Sequence, residues 1–448
     1  MFSILRPGRV KFVIARRSAR STIRFVPRGR HRQRAFKPVV DFAVTFSSEQ
    51  VRAEPRVRVE SVDVLRGLVM VIMALDHTRE FFSNYGGNPT DAASAPGIIF
   101  FTRWITHLCA PTFVFLAGTS IYLQFLRKPR PQLARFLATR GLWLMVLEIV
   151  VVSSMLTFHP SPHLFMLQVI WVTGLSMILM AGLIYLPVWV VALFGAALVL
   201  VHNAFDWVSP ATMGPVARTV WRLLHVPGVL VPPASGNLWL NLYPLIPWPG
   251  IMALGFAFGV LLQRAPMQRQ RALLGLGVVA IVVFALLRWS NLYGDPAPWK
   301  HQASGERTFM SFLDVQKYPP SLLFVLATLG VSLCLMAAFD AWQARDRFKA
   351  VRSILSVYGR VPFFYYVLHF TTIHLAALLT TAALGLNWRW WISLPPNGGI
   401  FAGQPAGYGF SLPIVYLVWL AIVTLCYFPC KWFAGIKQRN RSPWLSYL

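Results

Sequence analysis

The sequence predicts an all-α polytopic integral membrane protein, a helical bundle of about ten transmembrane helices. The first reason is composition: 56% of the 448 residues are hydrophobic and only 13% are charged, about half the charged fraction of a soluble domain. The second is that ten segments are apolar over the ~20 residues needed to cross a bilayer. The third is an uneven distribution of basic residues, which distinguishes the two sides of a membrane.

The ten predicted spans follow the apolar segments, and Pro- and Gly-containing turns separate them. They are 61–82, 98–125, 137–158, 164–183, 187–204, 244–263, 272–290, 320–340, 357–384 and 410–431. If both termini are cytoplasmic, the inner loops hold 16 Lys and Arg, whereas the longer outer loops hold 6. Because cytoplasmic loops are enriched in basic residues, we predict this orientation in a plasma membrane.

The chain is predicted to divide into a tail and a membrane domain. Residues 1–55 are interpreted as a basic, disordered cytoplasmic tail, since residues 1–40 carry 12 Lys and Arg and no Asp or Glu. A transit peptide has a similar composition, and that alternative stays open. Residues 56–448 form the membrane domain. The net charge of +27 indicates contact with anionic lipid rather than with a specific nucleic acid.

The first span carries more ionisable residues than most of the others, and such residues inside a membrane are costly and mark function. Asp63 and Arg66 are three residues apart and can pair on one helix face. Asp63 and His77 share a face about 21 Å apart along the helix axis. Asp76 precedes His77 at the outer end, and Glu80 is interpreted as a helix-end charge that reaches water.

The second span places Arg103 and His107 four residues apart on one face, at the depth predicted for His77. Pro111 is expected to free a backbone carbonyl beside His107. Imidazole exchanges a proton near neutral pH, and a nearby carboxylate would orient it. We therefore expect His107→Ala to lower activity more than His77→Ala, because His107 lies deeper in the membrane. The alternative is a buried polar network that joins the two helices.

Two sets of site residues follow from these patterns. The predicted catalytic residues are His77, His107 and Asp76. The predicted substrate- and cofactor-binding residues are Asp63, Arg66 and Arg103. No metal site is expected, because the four cysteines lie in or beside apolar segments without the ligand pairs of a zinc site. Glu148 is interpreted either as a partner for an arginine or as a catalytic group, whereas His369 and His374 are interpreted as structural.

Several phrases resemble bacterial membrane proteins grouped with the catalytic domain of heparan-alpha-glucosaminide N-acetyltransferase. The phrases are MALDHTREFF (73–82), FFTRWITHLCAPTFVFLAG (100–118), YPLIPWPGIMALGFAFG (243–259), KYPPSLLF (317–324), GRVPFFYYVLHF (359–370) and GYGFSLPIVYLVW (407–419). This resemblance covers the chain from about residue 56 to the C-terminus. It implies ten or eleven helices and transfer of an acetyl group from cytoplasmic acetyl-CoA to an amine or hydroxyl of a sugar across the membrane.

The resemblance also implies a catalytic histidine between the first two helices, but residues 83–99 contain none. Either His77 and His107 substitute for it or the reaction differs. We expect a membrane-embedded acyltransferase that moves an acetyl or short acyl group from acyl-CoA to a saccharide or envelope component. Acetyl-CoA would be a co-substrate, with no cofactor bound permanently and a homo-oligomer possible. The alternatives are a proton-coupled transporter or carrier and a non-catalytic membrane assembly protein.

Overall fold

The structure, a computed structural model, describes residues 59–159, 164–231, 237–393 and 403–440, together with Ser442 and Leu445. The chain separates into two units, Met1–Arg56 and Val57–Leu448. The predicted basic tail, 1–55, lies outside the described residues. The account of the fold therefore concerns the second unit.

The second unit is a helical bundle, which confirms the predicted all-α class. The α-helices, in chain order, are α1 (Glu60–Phe82), α2 (Gly97–Thr106), α3 (Cys109–Phe125), α4 (Arg130–Leu147), α5 (Ser153–Thr157), α6 (Val169–Leu183), α7 (Val188–Val201), α8 (Pro215–Leu224), α9 (Trp248–Phe258), α10 (Pro266–Ser290), α11 (Gly305–Leu313), α12 (Leu322–Ala344), α13 (Lys349–Arg360), α14 (Pro362–Ala383) and α15 (Leu412–Arg439). Each of the ten predicted spans contains helix.

Seven helical segments among the described residues are long and apolar enough to cross a membrane. They are Gly97–Phe125, Arg130–Thr157, Val188–Phe205, Pro266–Ser290, Leu322–Ala344, Pro362–Ala383 and Leu412–Arg439. The predicted number of about ten spans is therefore not confirmed by length and composition. The other three predicted spans correspond to α1, which carries many charges, and to α6 and α9, which are shorter.

Several predicted boundaries are wrong because the helices break or begin elsewhere. The bounds of the span 98–125 agree with the apolar segment Gly97–Phe125, but within it two helices, α2 and α3, meet at His107 and Leu108. The span 164–183 begins with a strand, and the helix of the predicted span 137–158 already begins at Arg130. The span 357–384 contains the end of α13 and then α14, which starts afresh at Pro362, a residue suited to the first turn of a helix.

A small sheet and two amphipathic helices lie in the connections between the long helices. The strands are β1 (Leu164–Leu167), β2 (Gly228–Val231) and β3 (Leu238–Asn241), in the order β1-β3-β2. β3 pairs parallel to β1, with Leu164 opposite Leu238, and antiparallel to β2. α8 and α11 are the two helices. These short elements were not predicted, because four residues carry too little periodicity to indicate a strand.

Helix α1 lies at the centre of the bundle and packs against α12, α13, α14 and α15 as well as α2 and α3. It crosses α13 at a pair of glycines. A Cβ atom on Gly67 would collide with the backbone of Leu355, and one on Gly359 would collide with the carbonyl of Asp63. Small residues allow helices in a membrane to approach this closely. The crossing brings α13 against the end of α1 that carries Asp63 and Arg66.

Candidate functional site

Two cavities lie along α1, one towards each end of the helix. We name them the His77 cavity, of about 570 Å³, and the Arg66 cavity, of about 430 Å³. Three side chains, Phe113, Ile170 and Phe363, line both cavities. The two cavities are therefore adjacent, with this apolar set between them.

The His77 cavity contains a histidine held by a carboxylate. The Nδ1 atom of His77 lies 3.1 Å from Oε2 of Glu80, one turn later on α1. The His77 ring also contacts the rings of His369 and Phe370, with centroids 5.5 and 4.9 Å away. If Nδ1–H donates to Glu80, Nε2 is left to accept or return a proton, which is the arrangement of a general base with an orienting carboxylate.

Contacts to both the side chain and the backbone of Glu80 hold this residue in place. Its carbonyl accepts a hydrogen bond of 2.7 Å from the Gln404 side chain, which also lines the His77 cavity. Sequence reasoning assigned the orienting role to Asp76 and left Glu80 as a helix-end charge. The structure places Glu80, and not Asp76, on the His77 imidazole. The i, i+3 spacing of His77 and Glu80 was the available signal.

Asp76 is instead part of an ion-pair cluster that joins α1 to α2. Its carboxylate accepts hydrogen bonds from Arg103 of α2 and from Arg79, the latter at 3.2 Å. Two guanidinium groups therefore balance one buried carboxylate. Removal of one partner from a buried pair leaves an uncompensated charge. This position suits Asp76 and Arg103 to holding the cavity wall in place rather than to proton transfer.

His107 lies where α2 ends and α3 begins, and it lines neither of the two cavities. The residue is 3% exposed, and its ring packs on Phe324, with centroids 5.3 Å apart. Pro111 explains this position: it occupies the first turn of α3, where a missing N–H costs little, so α3 begins as a new helix. The structure does not bring His107 into the group formed by His77 and Glu80.

Among the residues that the structure describes, four cations and one carboxylate line the Arg66 cavity. Arg66 forms the predicted pair with Asp63, at 3.3 Å, and also donates to the Gly359 carbonyl and to Ser120 Oγ, at 3.2 and 2.7 Å. These contacts hold the Arg66 guanidinium in one orientation. The other cations are Arg140, Arg360 and Lys437. An excess of guanidinium and ammonium groups suits phosphate groups, which guanidinium binds in a bidentate manner.

Lys317 and Tyr318 also line the His77 cavity, and sequence reasoning gave them no role. They stand just before α12, beside Tyr243, whose ring centroid is 5.2 Å from that of Tyr318. Burial opposes ionisation of Tyr318, but Lys317 and Arg103 outweigh it and lower the pKa of this phenol. Burial, with Tyr318 nearby, raises the pKa of Tyr243. Two adjacent phenols thus differ in acidity.

Three other ionisable residues inside predicted spans make contacts of the kind expected for structural residues. They are Glu148, His369 and His374. Glu148 accepts a hydrogen bond of 2.9 Å from the Trp171 N–H. The two ring nitrogens of His374 each lie 3.0 Å from a backbone carbonyl, those of Met155 and Trp391. His369 donates from Nδ1 to the Tyr365 carbonyl at 2.7 Å.

A comparison with known protein families identifies the chain. The family described as heparan-alpha-glucosaminide N-acetyltransferase, catalytic, matches residues 58–290, just over half of the chain. The chain belongs to this family. The match includes α1 with Asp63, Arg66, Asp76, His77 and Glu80, so the helix that lines both cavities lies inside it.

The family is a membrane acetyltransferase-like family, and the chain is a multi-pass membrane protein. Three of the phrases that carry the sequence resemblance, which begin at residues 317, 359 and 407, lie beyond the matched range. No curated protein matches the sequence.

Proposed function

We propose that the protein transfers an acetyl or other short acyl group from acyl-CoA, bound at the Arg66 cavity, to an acceptor bound at the His77 cavity. The observation that carries this proposal is the adjacency of a cation-rich cavity and a cavity with a histidine–carboxylate pair. The acceptor is a saccharide or another component of the cell envelope. The family description supports the acetyl group and the amino-sugar class of acceptor.

The donor is held through its phosphate groups. Arg66, Arg140, Arg360 and Lys437 supply four positive charges at the Arg66 cavity. Under the predicted orientation this cavity faces the cytoplasm, where acyl-CoA is made. Arg66 and His77 are eleven residues apart on α1, a rise of about 16 Å. The pantetheine arm of CoA is an extended chain of comparable length, so phosphates near Arg66 allow the thioester to reach His77.

The transfer needs one base and one proton path. Nε2 of His77 accepts the proton of the acceptor amine or hydroxyl as its nitrogen or oxygen attacks the thioester carbonyl carbon. The new C–N or C–O bond forms and the C–S bond breaks. The imidazolium then returns the proton to the CoA thiolate, and free CoA thiol leaves. Glu80 stabilises the imidazolium while it carries the proton.

The first experiment tests donor binding. The protein, purified in detergent, is heated with and without millimolar acetyl-CoA, and the midpoint of unfolding is measured. A ligand that binds the folded state raises the midpoint. We expect a shift for the wild type, a smaller shift for Arg66→Gln and a wild-type shift for Arg135→Gln, an exposed arginine that lines neither cavity. No shift for any of the three would favour a carrier or an assembly protein.

The second experiment tests turnover. Release of CoA thiol is followed with glucosamine as the acceptor probe, and the acetylated product is identified by mass spectrometry. Acetyl-CoA binding without any acylated product, for glucosamine and for a panel of envelope saccharides, would contradict the transferase and leave a CoA-binding membrane protein. Uptake of the probe into vesicles without acylation would support the carrier.

A further inference from the structure

A second group of ionisable side chains lies away from both cavities, at the ends of α7 and α8. A short 3₁₀ segment, His202–Phe205, continues from α7; His202 is its first residue, and Asp206 follows its last. His225 follows the last residue of α8. One ring nitrogen of each histidine and one carboxylate oxygen lie within 4.8 Å of one another. The sequence separates His225 from the other two by about twenty residues, so only the fold brings them together.

The two imidazoles are buried and have nitrogens without partners. His202 is 3% exposed and His225 is 2% exposed. The backbone of Pro320 lies beside the His202 ring, but neither ring nitrogen has a partner of hydrogen-bond geometry among the described residues. Nδ1 of His225 also has none there. Buried polar atoms are almost always satisfied, so unsatisfied nitrogens on two neighbouring imidazoles indicate a ligand.

Groups around the cluster contact its side chains and hold them in one orientation, as the neighbours of metal ligands do. Nε2 of His225 donates to the His202 carbonyl at 3.0 Å, and Trp221 stacks on the His225 ring, with centroids 4.9 Å apart and planes at 12°. Asn203 donates to Oδ2 of Asp206 at 2.7 Å. The other oxygen, Oδ1, lies 3.7 Å from the same Nε2 atom of His225. Metal binding through Nδ1 of His225 would keep the hydrogen bond to the His202 carbonyl, whereas binding through Nε2 would replace it.

We propose that His202, Asp206 and His225 bind one divalent transition-metal ion. Two imidazoles and one carboxylate form a ligand set that suits Zn²⁺, and a water molecule would complete a tetrahedral site. None of the three residues lines either cavity, so this proposal does not depend on the proposed acyl transfer. The sequence-based expectation of no metal site considered the cysteines and missed this set.

The ion would connect three parts of the fold behind the His77 cavity. It joins the end of α7 to the end of α8. Asn203, between the ligands, accepts a hydrogen bond of 2.8 Å from the first N–H of α12, that of Leu322. The backbone of Leu245 and Ile246 is bonded to α8 at 2.9 and 2.8 Å. The segments that carry Tyr243 and Tyr318 are therefore held by elements that the metal would join.

The wild-type protein provides the first test. It is purified without a histidine tag, its metal content is measured by mass spectrometry, and its unfolding midpoint is recorded with EDTA and with added zinc chloride. We expect about one zinc per chain, a lower midpoint after EDTA and recovery with zinc. The proposal would be overturned if the purified protein held no stoichiometric metal and its unfolding midpoint responded to neither EDTA nor zinc. This result would count even if every variant failed to fold.

Variants locate the ion. His225→Ala and Asp206→Asn should lose the bound zinc and the midpoint response to EDTA, whereas His301→Ala, an exposed histidine outside the cluster, should retain both. Cobalt substitution gives an independent readout, since a tetrahedral Co²⁺ site with these ligands absorbs in the visible range and His225→Ala should remove that band. Wild-type zinc content in a variant that combines His225→Ala with Asp206→Asn would place the metal elsewhere and overturn the assignment.

Discussion

The two cavities along α1 differ in how their charges are balanced. The lining of the His77 cavity contains two carboxylates and two cations, besides His77 itself. The lining of the Arg66 cavity contains four cations and one carboxylate. A charge inside a membrane protein is retained where a partner offsets its desolvation. The charges of the first cavity are balanced in number, whereas the second cavity carries an excess of positive charge that suits an anionic ligand.

Under the proposed function, this difference corresponds to chemistry at one end of α1 and donor binding at the other. In the His77 cavity the ion pairs of Asp76 hold the wall, and the contact with Glu80 orients one imidazole. In the Arg66 cavity the cations converge without an equal number of acids. A substitution in the first cavity should therefore alter the rate of the chemical step, whereas one in the second should alter the affinity for acyl-CoA.

The largest expected effect is that of His77→Ala. Loss of a general base typically lowers the rate by about 10²–10⁴-fold, so kcat for CoA thiol release should fall by that factor. The unfolding midpoint should change little, because the side chain is 19% exposed and on a cavity. Glu80→Gln should lower kcat less, since the imidazole stays in place. The control is His301→Ala, and wild-type kcat in His77→Ala would remove His77 from the mechanism.

Lys437→Gln tests the second cavity without disturbing the Arg66 network. A hydrogen bond to a charged group is worth about 1.5–3 kcal/mol, so KM for acyl-CoA should rise roughly ten- to a hundredfold while kcat stays near the wild-type value. Arg439→Gln is the matched control: it lies two residues further on α15, is exposed and lines neither cavity. Equal effects of the two variants on KM would mean that the cavity does not select the donor.

His107→Ala sharpens the distinction between a catalytic and a packing histidine. The sequence alone favoured His107 as the more damaging site, but its ring packs on Phe324 away from both cavities. We expect a loss of about 1–3 kcal/mol in the free energy of unfolding, with kcat per folded molecule close to that of the wild type. Denaturant unfolding and thiol release measured on the same preparation would show this. A large fall in kcat at unchanged stability would restore His107 to the site.

The smallest effect concerns a carboxyl group outside the cavities and the membrane-spanning helices. Burial raises the pKa of Asp314 from its ordinary 3.8 to about 6; Arg288 opposes the shift, and Asp295 and Asp91 add to it. A raised acid pKa favours the folded state fully below pH ~4, and that contribution is lost as pH rises through 6. Asp314→Asn should therefore raise the unfolding midpoint at pH 7.5 and change it progressively less towards pH 4.

The control for this pH series is Glu306→Gln, which removes an exposed carboxylate from the preceding helix, α11. Both variants change the net charge of the protein by the same amount. A midpoint difference for Asp314→Asn that does not depend on pH would show that burial of this carboxyl does not affect folding.

Sequence patterns along a single helix were the more reliable part of the site prediction. The Asp63–Arg66 pair could be predicted because residues three apart on a helix always face each other. The same rule holds for His77 and Glu80, but Glu80 was interpreted as a solvated helix end. Contacts between helices were harder to predict. Arg103 was expected to face His107, and its guanidinium instead pairs with Asp76 across the α1–α2 contact.

Hydropathy and helical periodicity by themselves determined the all-α membrane class and most helix positions. The reason is that each span must form its own backbone hydrogen bonds and present apolar side chains to lipid. Those are local requirements that a sequence displays directly. Tertiary structure alone decided that Phe113, Ile170 and Phe363 separate two cavities, that Lys437 joins Arg66, and that His225 meets His202. These contacts join distant segments, and they depend on helix breaks and crossing points such as Pro111 and Gly359, which periodicity does not specify.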